Sequence, residues 1–349
     1  MQFGLMNLFS DYGGVPQQQI YREVLEEIEY AEELGFDSVW LPEHHFSIYG
    51  MLGDTLTFAA AIAQRTKRIK IGTAVVLLPL HHPVRVAEQA ALVDALSDGR
   101  LLLGVGRAYQ PTEFDGFGVD PARSRDMFLE SVEIIKKCFT EEKFSHQGRF
   151  WQLKDVSLFP RPVQKPHPPI YWAAISPPSY ELAARMGYPI LRSPVFSGLD
   201  DTTQAWKVYH ELFAAAGHDA AHLDLPVMAQ TYVAETDEQA RQDVGAHAAW
   251  YWKLLAGVVP GAPGRRVEPG YEAYPVVREA MTKLKTDEDL LQWGTWFGSP
   301  DKVIRGIRPF IEQCGINHWL AWMRFGGLEH KKVMRSMELF ASHVMPAFR

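Results

Sequence analysis

Three consecutive residues, Glu43-His44-His45, are the run in this sequence best suited to chemistry. An imidazole titrates near neutrality, so it can hold or move a proton under ordinary conditions. As an isolated pair, two histidines also have a plain structural reading, with one packed and one solvated. A metal reading is weaker. Neighbouring residues of an extended segment point to opposite faces, so both rings do not easily reach one ion. The sequence has neither a His-x-His after its first strand nor a His-Glu-x-x-His. The chemical reading that remains is one histidine as a general base or hydrogen-bond donor, with no metal.

Arg107 and Arg125 suggest an anion site. Each alone reads as a surface ion-pair partner. Ser176 changes that balance, because Pro177 follows it at the start of a predicted helix. A helix N-terminus with free N–H groups and a hydroxyl is a ready phosphate cradle. Gly104-Val105-Gly106 is not a dinucleotide fingerprint, since Tyr109 stands where a third glycine belongs. No Walker loop is present either. A mononucleotide or a phosphorylated substrate fits better than NAD.

Short apolar runs alternating with segments of 3.6-residue period must position these groups. Strands are predicted at Phe3–Phe9, Phe36–Leu41, the start of Ile69–Leu78, Leu101–Val105, Ile170–Ala174, Pro189–Arg192, Val227–Ala234 and Trp319–Met323. Helices are predicted between them. One carries Ile20, Val24, Ile28, Ala31 and Leu34 on one face and stops at Gly35. Others run over Thr55–Thr66, Pro83–Leu96 and Thr202–Ala216, and one opens on the capping-box pattern Thr236-Asp237-Glu238-Gln239. Ser299-Pro300 caps another, and Val333, Met337, Phe340 and Val344 mark the last.

Eight strand–helix units in order predict an α/β fold, a (β/α)8 TIM barrel, in preference to an open doubly wound sheet. Val75-Val76-Leu77-Leu78 and Leu101-Leu102-Leu103 are continuously apolar, as strands buried on both faces should be. Residues 1–349 read as one domain. Insertions are expected at about 140–169, after the fourth helix, and at about 258–295, before the last βα unit. A barrel presents its active site at the C-terminal ends of its strands, where Glu43, His44, Ala74, Val75, Arg107, Ser176 and Ser193 fall.

The balance of 35 Lys+Arg against 42 Asp+Glu leaves a net charge of −7, which argues against nucleic acid as a partner. The two cysteines, Cys138 and Cys314, sit in helical apolar patterns and read as core residues in a reducing compartment. The N-terminus lacks a signal-peptide pattern. No stretch approaches the ~18–20 apolar residues of a membrane span, so a cytoplasmic protein is expected.

Several runs taken together resemble one family. They are Phe36-Asp37-Ser38-Val39-Trp40-Leu41-Pro42-Glu43-His44-His45-Phe46, Gly72-Thr73-Ala74-Val75, His82-Pro83-Val84-Arg85-Val86-Ala87-Glu88-Gln89, and Asp98-Gly99-Arg100 leading to Gly104-Val105-Gly106-Arg107. In order and nearly end to end, with Ser124-Arg125, Ser193, Trp250-Tyr251 and Gly298-Ser299-Pro300, they resemble the bacterial luciferase-like flavin-dependent monooxygenases. The resemblance implies the barrel fold and FMN as cofactor, used in its reduced form with dioxygen through a flavin C4a-(hydro)peroxide. It implies a separate NAD(P)H:flavin reductase as partner, and a small organic substrate, expected to be an aldehyde or ketone.

The same resemblance assigns roles. His44 is the acid/base. Arg107, Arg125, Ser176 and Ser179 hold the FMN phosphate. Ala74–Val75 is a non-proline cis peptide beside the flavin, with Glu43, Tyr109, Ala174, Ile175 and Ser193 as further cofactor contacts. Gly106, Arg192 and Trp250 belong to the substrate pocket, with Gly106 opening space. Arg192-Ser193-Pro194 lacks the tryptophan of the luciferases, and Ser197-Gly198-Leu199-Asp200 is more like the Baeyer–Villiger branch, so a non-luminous enzyme is expected. The alternatives are a deazaflavin-dependent oxidoreductase on the same fold, a non-catalytic flavin-binding protein, and a metal-dependent barrel hydrolase. A homodimer is expected through Pro83–Leu96, where Glu88 lies among small residues as at the family's subunit contact. The stretch Val258–Thr295 mixes breakers (Pro260, Gly261, Pro263, Gly264, Pro269, Gly270) with cations (Arg265, Arg266, Lys283, Lys285) and reads as a lid.

Overall fold

Every residue of Leu101–Gly106 is buried, as an apolar strand covered on both faces should be. In the computed structural model this segment is one of the inner strands of a curled, parallel main sheet. The structure describes all residues except 195–197, 222, 265, 266, 269 and 284–294, and the side chains at 198, 280 and 295. Ser197, Arg265, Arg266, Pro269 and Lys285, named above, lie outside the described residues.

The strands are β1 (Gln2–Asn7), β2 (Ser38–Leu41), β3 (Lys70–Thr73), β4 (Val76–Leu77), β5 (Leu101–Gly106), β6 (Phe144–Gln147), β7 (Gln152–Val156), β8 (Ile170–Ala173), β9 (Ile190–Leu191), β10 (Pro226–Val233), β11 (Thr295–Gly298) and β12 (His318–Arg324). Their order in the main sheet is β11-β10-β12-β1-β2-β3-β5-β8-β9, with β4 paired to β5. Arg192, just past β9, makes a parallel bridge to Val227 of β10, and Met228 N donates to Arg192 O at 2.9 Å. The curl therefore brings the two flanks of the sheet into contact.

Helices alternate with these strands: α1 (Gln17–Leu34), α2 (Thr55–Arg65), α3 (Pro83–Leu96), α4 (Pro111–Phe117), α5 (Ser124–Thr140), α6 (Pro177–Met186), α7 (Gly198–Ala215), α8 (Asp237–Val258), α9 (Tyr274–Lys283), α10 (Pro300–Cys314) and α11 (His330–Leu339). Their apolar stripes pack on the sheet. Ile20, Val24, Ile28 and Ala31 of α1 are buried, and so are Phe128, Val132, Ile135 and Phe139 of α5. Gly35 ends α1 in the left-handed conformation, as a residue without Cβ can. Thr236 caps α8 by accepting from Gln239 N, but the Gln239 amide turns to Asp243, so only half of the capping box forms. Both cysteines are buried and free. Among the described residues no helix is long and apolar enough to cross a membrane.

Three elements were not anticipated. The segment 140–169 contains an antiparallel hairpin, β6–β7. The Glu130 carboxylate holds its turn by accepting from the backbone N–H groups of Arg149, Phe150 and Trp151. Helix α4 lies where no element was predicted, and β11 adds a strand beside β10.

The N-terminal ends of the strands are closed by a polar plug. Ser38 Oγ lies 2.8 Å from His318 Nε2, His318 Nδ1 lies 3.1 Å from Asp224, and Tyr171 donates to Asp224 at 2.7 Å. The Ser-His-Asp order is that of a hydrolytic triad. Ser38 and His318 are fully buried and Trp40 Nε1 donates to the serine, so this network braces the sheet and its serine and histidine do not meet solvent.

Gly104 marks a close approach inside the curl. A Cβ there would lie 1.9 Å from the Thr73 carbonyl oxygen, which is backbone and cannot turn aside. Gly104→Ala is therefore expected to destabilise the protein by about 1–3 kcal/mol or more, read as a lowered denaturation midpoint. An unchanged midpoint would mean that β3 and β5 are not packed this closely.

Candidate active site

A cavity of about 350 Å³ opens at the C-terminal ends of the strands, within the size range of cofactor and small-molecule sites. Its wall includes Glu43, His44, Ala74, Val75, Gly106, Arg107, Tyr109, Arg125, Ile175, Ser176, Ser179, Arg192 and Ser193. These residues come from loops far apart in sequence, gathered by the curl of the sheet.

His44 follows β2 and is buried. Its Nδ1 lies 2.9 Å from Glu113 Oε1 and 3.0 Å from the side-chain amide of Gln110. Gln110 and Glu113 arrive on the first turn of α4, and both are fully buried. Glu113 Oε1 also accepts from His45 N at 3.2 Å. A carboxylate at Nδ1 favours the tautomer with hydrogen on that nitrogen, which leaves Nε2 as the basic atom. The Tyr49 ring meets the imidazole edge-on, with centroids 4.8 Å apart.

His45 turns the other way, as alternation along an extended segment requires. Its Nε2 lies 2.9 Å from Glu43 Oε1, and His81 Nε2 lies 2.7 Å from the same oxygen. The second Glu43 oxygen accepts from Leu77 N at 3.3 Å. Glu43 therefore fastens the loop that carries Ala74 and Val75, whose peptide bond is cis. Glu43, His45 and His81 hold their donor atoms within 4.8 Å of one another, a set that could hold a metal ion, assembled without His44. Burial alone would raise the Glu43 pKa, but the hydrogen bonds from His45 and His81 outweigh it and hold the carboxyl below its usual range. Burial alone would lower His81, but the hydrogen bond and charge of Glu43 raise it.

These opposite shifts fix a pH window. The contribution of His81 is complete below its ordinary value of 6.5 and fades as pH rises through the raised value. The contribution of Glu43 is complete above its ordinary value of 4.5 and fades as pH falls through the lowered one. Between these limits the pair is charged and stabilising. The stability difference between wild type and His81→Gln, measured by denaturant unfolding, is expected to shrink from mildly acidic to alkaline pH. A difference that does not change with pH would mean the pair is not ionic.

At the other end of the cavity, Arg107 follows β5 and Arg125 is the second residue of α5. Ser176 precedes α6, and its hydroxyl lies 2.9 Å from that of Ser179. The cradle differs from the expected one in its donors. Pro177 and Pro178 remove two of the N–H groups that a helix start would offer, and Ser179 N already donates to Ser176 O. The remaining donors are the hydroxyls, the guanidinium groups, and the N–H groups of Ile175 and Ser176, which donate to nothing among the described residues. The segment after α8 reaches over this end. Arg107 Nη2 donates to Gly270 O at 3.0 Å, and its guanidinium lies 4.4 Å above the Tyr271 ring. Tyr271 OH donates to Ala108 O at 3.1 Å.

Three expected positions need correction. Trp250 is not part of the cavity wall; its ring packs on Tyr12 at 5.1 Å, and the neighbouring Tyr251 lines the cavity instead. Gly106 opens no space for substrate, since a Cβ there would meet Val75 Cγ2 at 2.4 Å, so the glycine admits the Val75 side chain. Arg192 donates to Ile175 O at 2.8 Å and to Ala174 O at 3.2 Å, and lies 5.4 Å from the Tyr180 ring centroid. Its Nη1 thus braces the cradle backbone, while the residue lines the cavity as expected and its buried Nε has no partner among the described residues. Ala174 is buried behind the wall, to which Ala173 and Ile175 contribute. Sequence reasoning missed Gln110, Glu113, Tyr49, Tyr251 and Tyr271. Gln110-Pro111 directly after Tyr109 was a legible helix start that would have brought Glu113 into view.

Residues 1–318 match the luciferase-like monooxygenase family, and the chain belongs to it. The chain is 30% identical to 4-hydroxyprotoasukamycin monooxygenase of Streptomyces nodosus subsp. asukaensis, over 96% of this chain and 89% of that one. Its fold matches the crystal structure of a monooxygenase from Streptomyces bottropensis with a TM-score of 0.86 at 31% identity, covering all of both chains. It also matches the oxygenating constituent of 3,6-diketocamphane monooxygenase of Pseudomonas putida, a type II Baeyer–Villiger monooxygenase solved in complex with FMN. That match has a TM-score of 0.81 at 25% identity, covering 99% of this chain and 98% of that one. The protein is thus a luciferase-like, flavin-dependent monooxygenase.

Proposed function

We propose that this chain is the oxygenase component of a two-component system. It takes reduced FMN from a separate NAD(P)H:flavin reductase and uses dioxygen to oxygenate a small carbonyl compound, an aldehyde or ketone, without emitting light. The observation that carries this reading is the make-up of one cavity. Two arginines, two serine hydroxyls and two unspent backbone N–H groups line one end, and a histidine fixed by a buried carboxylate lines the same wall. That donor set fits a phosphate dianion on a mononucleotide. The FMN complex of the diketocamphane relative supports the choice of cofactor and of substrate class, and its description as an oxygenating constituent supports a partner reductase.

When bound in its reduced form, FMN supplies the electrons that activate dioxygen. The chain's own residues bind and shield. Arg107, Arg125, Ser176 and Ser179 hold the phosphate. His44 holds or moves a proton at Nε2, with Glu113 fixing its tautomer. Val75 and the loop fastened by Glu43 would shape the wall that receives the flavin.

The frame for this chemistry is read as one domain with a closed (β/α)8 barrel, its strands being β1, β2, β3, β5, β8, β9, β10 and β12. The Arg192–Val227 bridge supports closure. The insertions at 140–169 and 258–295 interrupt it. A homodimer through α3 is supported by its two large exposed apolar side chains, Leu92 and Leu96. Equilibrium titration with FMN, riboflavin and a deazaflavin cofactor tests the cofactor assignment. FMN is expected to bind at least tenfold tighter than riboflavin; preference for the deazaflavin would support the oxidoreductase alternative.

The lid reading rests on Gly270, Tyr271 and Tyr274, which line the cavity while Gly270 and Tyr271 also engage Arg107. Limited proteolysis is expected to cut first within residues 261–278, and FMN to slow the cut several-fold. Cleavage elsewhere first, at a rate indifferent to FMN, would remove this segment from the shield.

A further inference from the structure

Three tyrosines form a hydroxyl chain in the cavity wall. Tyr109 OH donates to Tyr49 OH at 3.4 Å, and Tyr49 OH lies 2.8 Å from Tyr251 OH. Burial pushes all three phenols well above their ordinary titration range, so each keeps its proton. Three protons then serve two contacts. Whichever way the Tyr49–Tyr251 proton points, one O–H of that pair has no acceptor among the described residues. A buried donor left without an acceptor is costly, so the site favours a ligand that brings one.

The surroundings define that ligand further. Leu8, Leu77, Met228, Leu320 and Trp322 share the wall, and all are apolar. Of the cavity's cations, Arg107 and Arg125 are assigned to the phosphate end, and Arg192 directs its Nη1 to the carbonyls of Ala174 and Ile175. Among the described residues no lysine lines the cavity. The Tyr49 ring packs edge-on against His44, so the tyrosine pair shares a wall with the histidine assigned to proton transfer.

We propose that Tyr251 and Tyr49, backed by Tyr109, anchor the substrate by donating to one acceptor oxygen on a neutral molecule with an apolar body. Compact ketones belong to this class, whereas carboxylates and ammonium compounds do not. The proposal rests on reading this cavity as the active site. Its test is read by binding alone, with neither reductant nor turnover.

The probes are 4-tert-butylcyclohexanone, tert-butylcyclohexane and 4-tert-butylcyclohexanecarboxylate, followed by quenching of intrinsic fluorescence and checked by calorimetry. Wild type is expected to prefer the ketone over the hydrocarbon by roughly tenfold, the scale of one net hydrogen bond, and to bind the carboxylate more weakly than either. Tyr251→Phe combined with Tyr49→Phe is expected to bring the ketone preference below about twofold, with hydrocarbon and FMN affinity retained.

A wild-type protein with no ketone preference, or one that binds the carboxylate as tightly as the ketone, overturns the proposal even if the variants do not fold. So does a preference that survives in the double variant. A preserved preference in a protein that consumes no oxygen would sink the oxygenase reading and leave the anchor standing.

Discussion

Replacing His44 with alanine is expected to lower product formation by about 10²–10⁴-fold, the usual worth of general acid–base catalysis, while FMN binding changes by less than about threefold. The separation follows from the geometry. His44 is held through Nδ1 by Glu113, and the groups assigned to phosphate are other side chains of the cavity wall. Its loss removes a proton carrier and leaves the cradle whole. Glu113→Gln should cost less, about 10–100-fold, because the ring stays in place but its tautomer is no longer fixed. Rapid-mixing turnover with product analysis reads both variants. If His44→Ala turns over at the wild-type rate and still couples oxygen to product, the histidine is a packing residue and the acid/base role must move elsewhere.

The second large effect is expected at the phosphate end. Arg125→Ala should weaken FMN by roughly 10–100-fold and riboflavin hardly at all, since a charge-assisted hydrogen bond is worth about 1.5–3 kcal/mol and riboflavin has no phosphate to lose it. Arg107→Ala should do the same and in addition loosen the segment that covers it, because Arg107 holds Gly270 O and stacks on the Tyr271 ring. The two substitutions should therefore differ in proteolysis within 261–278 even where their FMN affinities agree. Equal losses for FMN and riboflavin would mean that neither arginine meets the phosphate.

Strong local signals carried the fold. The eight strands read from apolar runs all appear, and α3 has the limits expected of it, Pro83–Leu96, because Pro83 suits a first helical turn and the segment is dense in alanine. Elements with weak local signals were lost. Helix α4 has only seven residues and contains Gly116, so propensity argued against it; it is held by tertiary packing of Phe114. Strand β11 is four residues long, preceded by a stretch rich in glycine and proline, and pairing with β10 makes it a strand. The hairpin β6–β7 depends on Glu130, a helix residue whose carboxylate captures the turn, and no window of sequence around residue 148 contains it.

The site divides the same way. Residues directly after strands were legible, because a parallel sheet gives their position its meaning. The errors lie where a side chain's direction decides. Trp250 and Tyr251 are adjacent on α8, so they point to different faces, and choosing between them needs the rotation of the helix. Arg192, by contrast, lines the cavity as its place after a strand suggested, with Nη1 turned to the carbonyls of Ala174 and Ile175. Gly106 suggested open space, whereas Val75, brought from the loop after β3, occupies that place. Glu113 is separated from His44 by 69 residues, and only the folded chain joins them.

The central claim is oxygenation of a carbonyl substrate with reduced FMN, and the most direct measurement is oxygen uptake. Purified protein, anaerobic reduced FMN and a panel of aldehydes and ketones are mixed with oxygenated buffer, and oxygen consumed is compared with oxygenated product and hydrogen peroxide. The account predicts that at least one carbonyl compound yields product in near-equal amount to the oxygen consumed in enzyme-bound turnover. It also predicts that NAD(P)H without a reductase supports none of this, and that light is not emitted. Oxygen consumption that gives only peroxide with every carbonyl compound, or efficient flavin reduction by NAD(P)H on this chain alone, would contradict it.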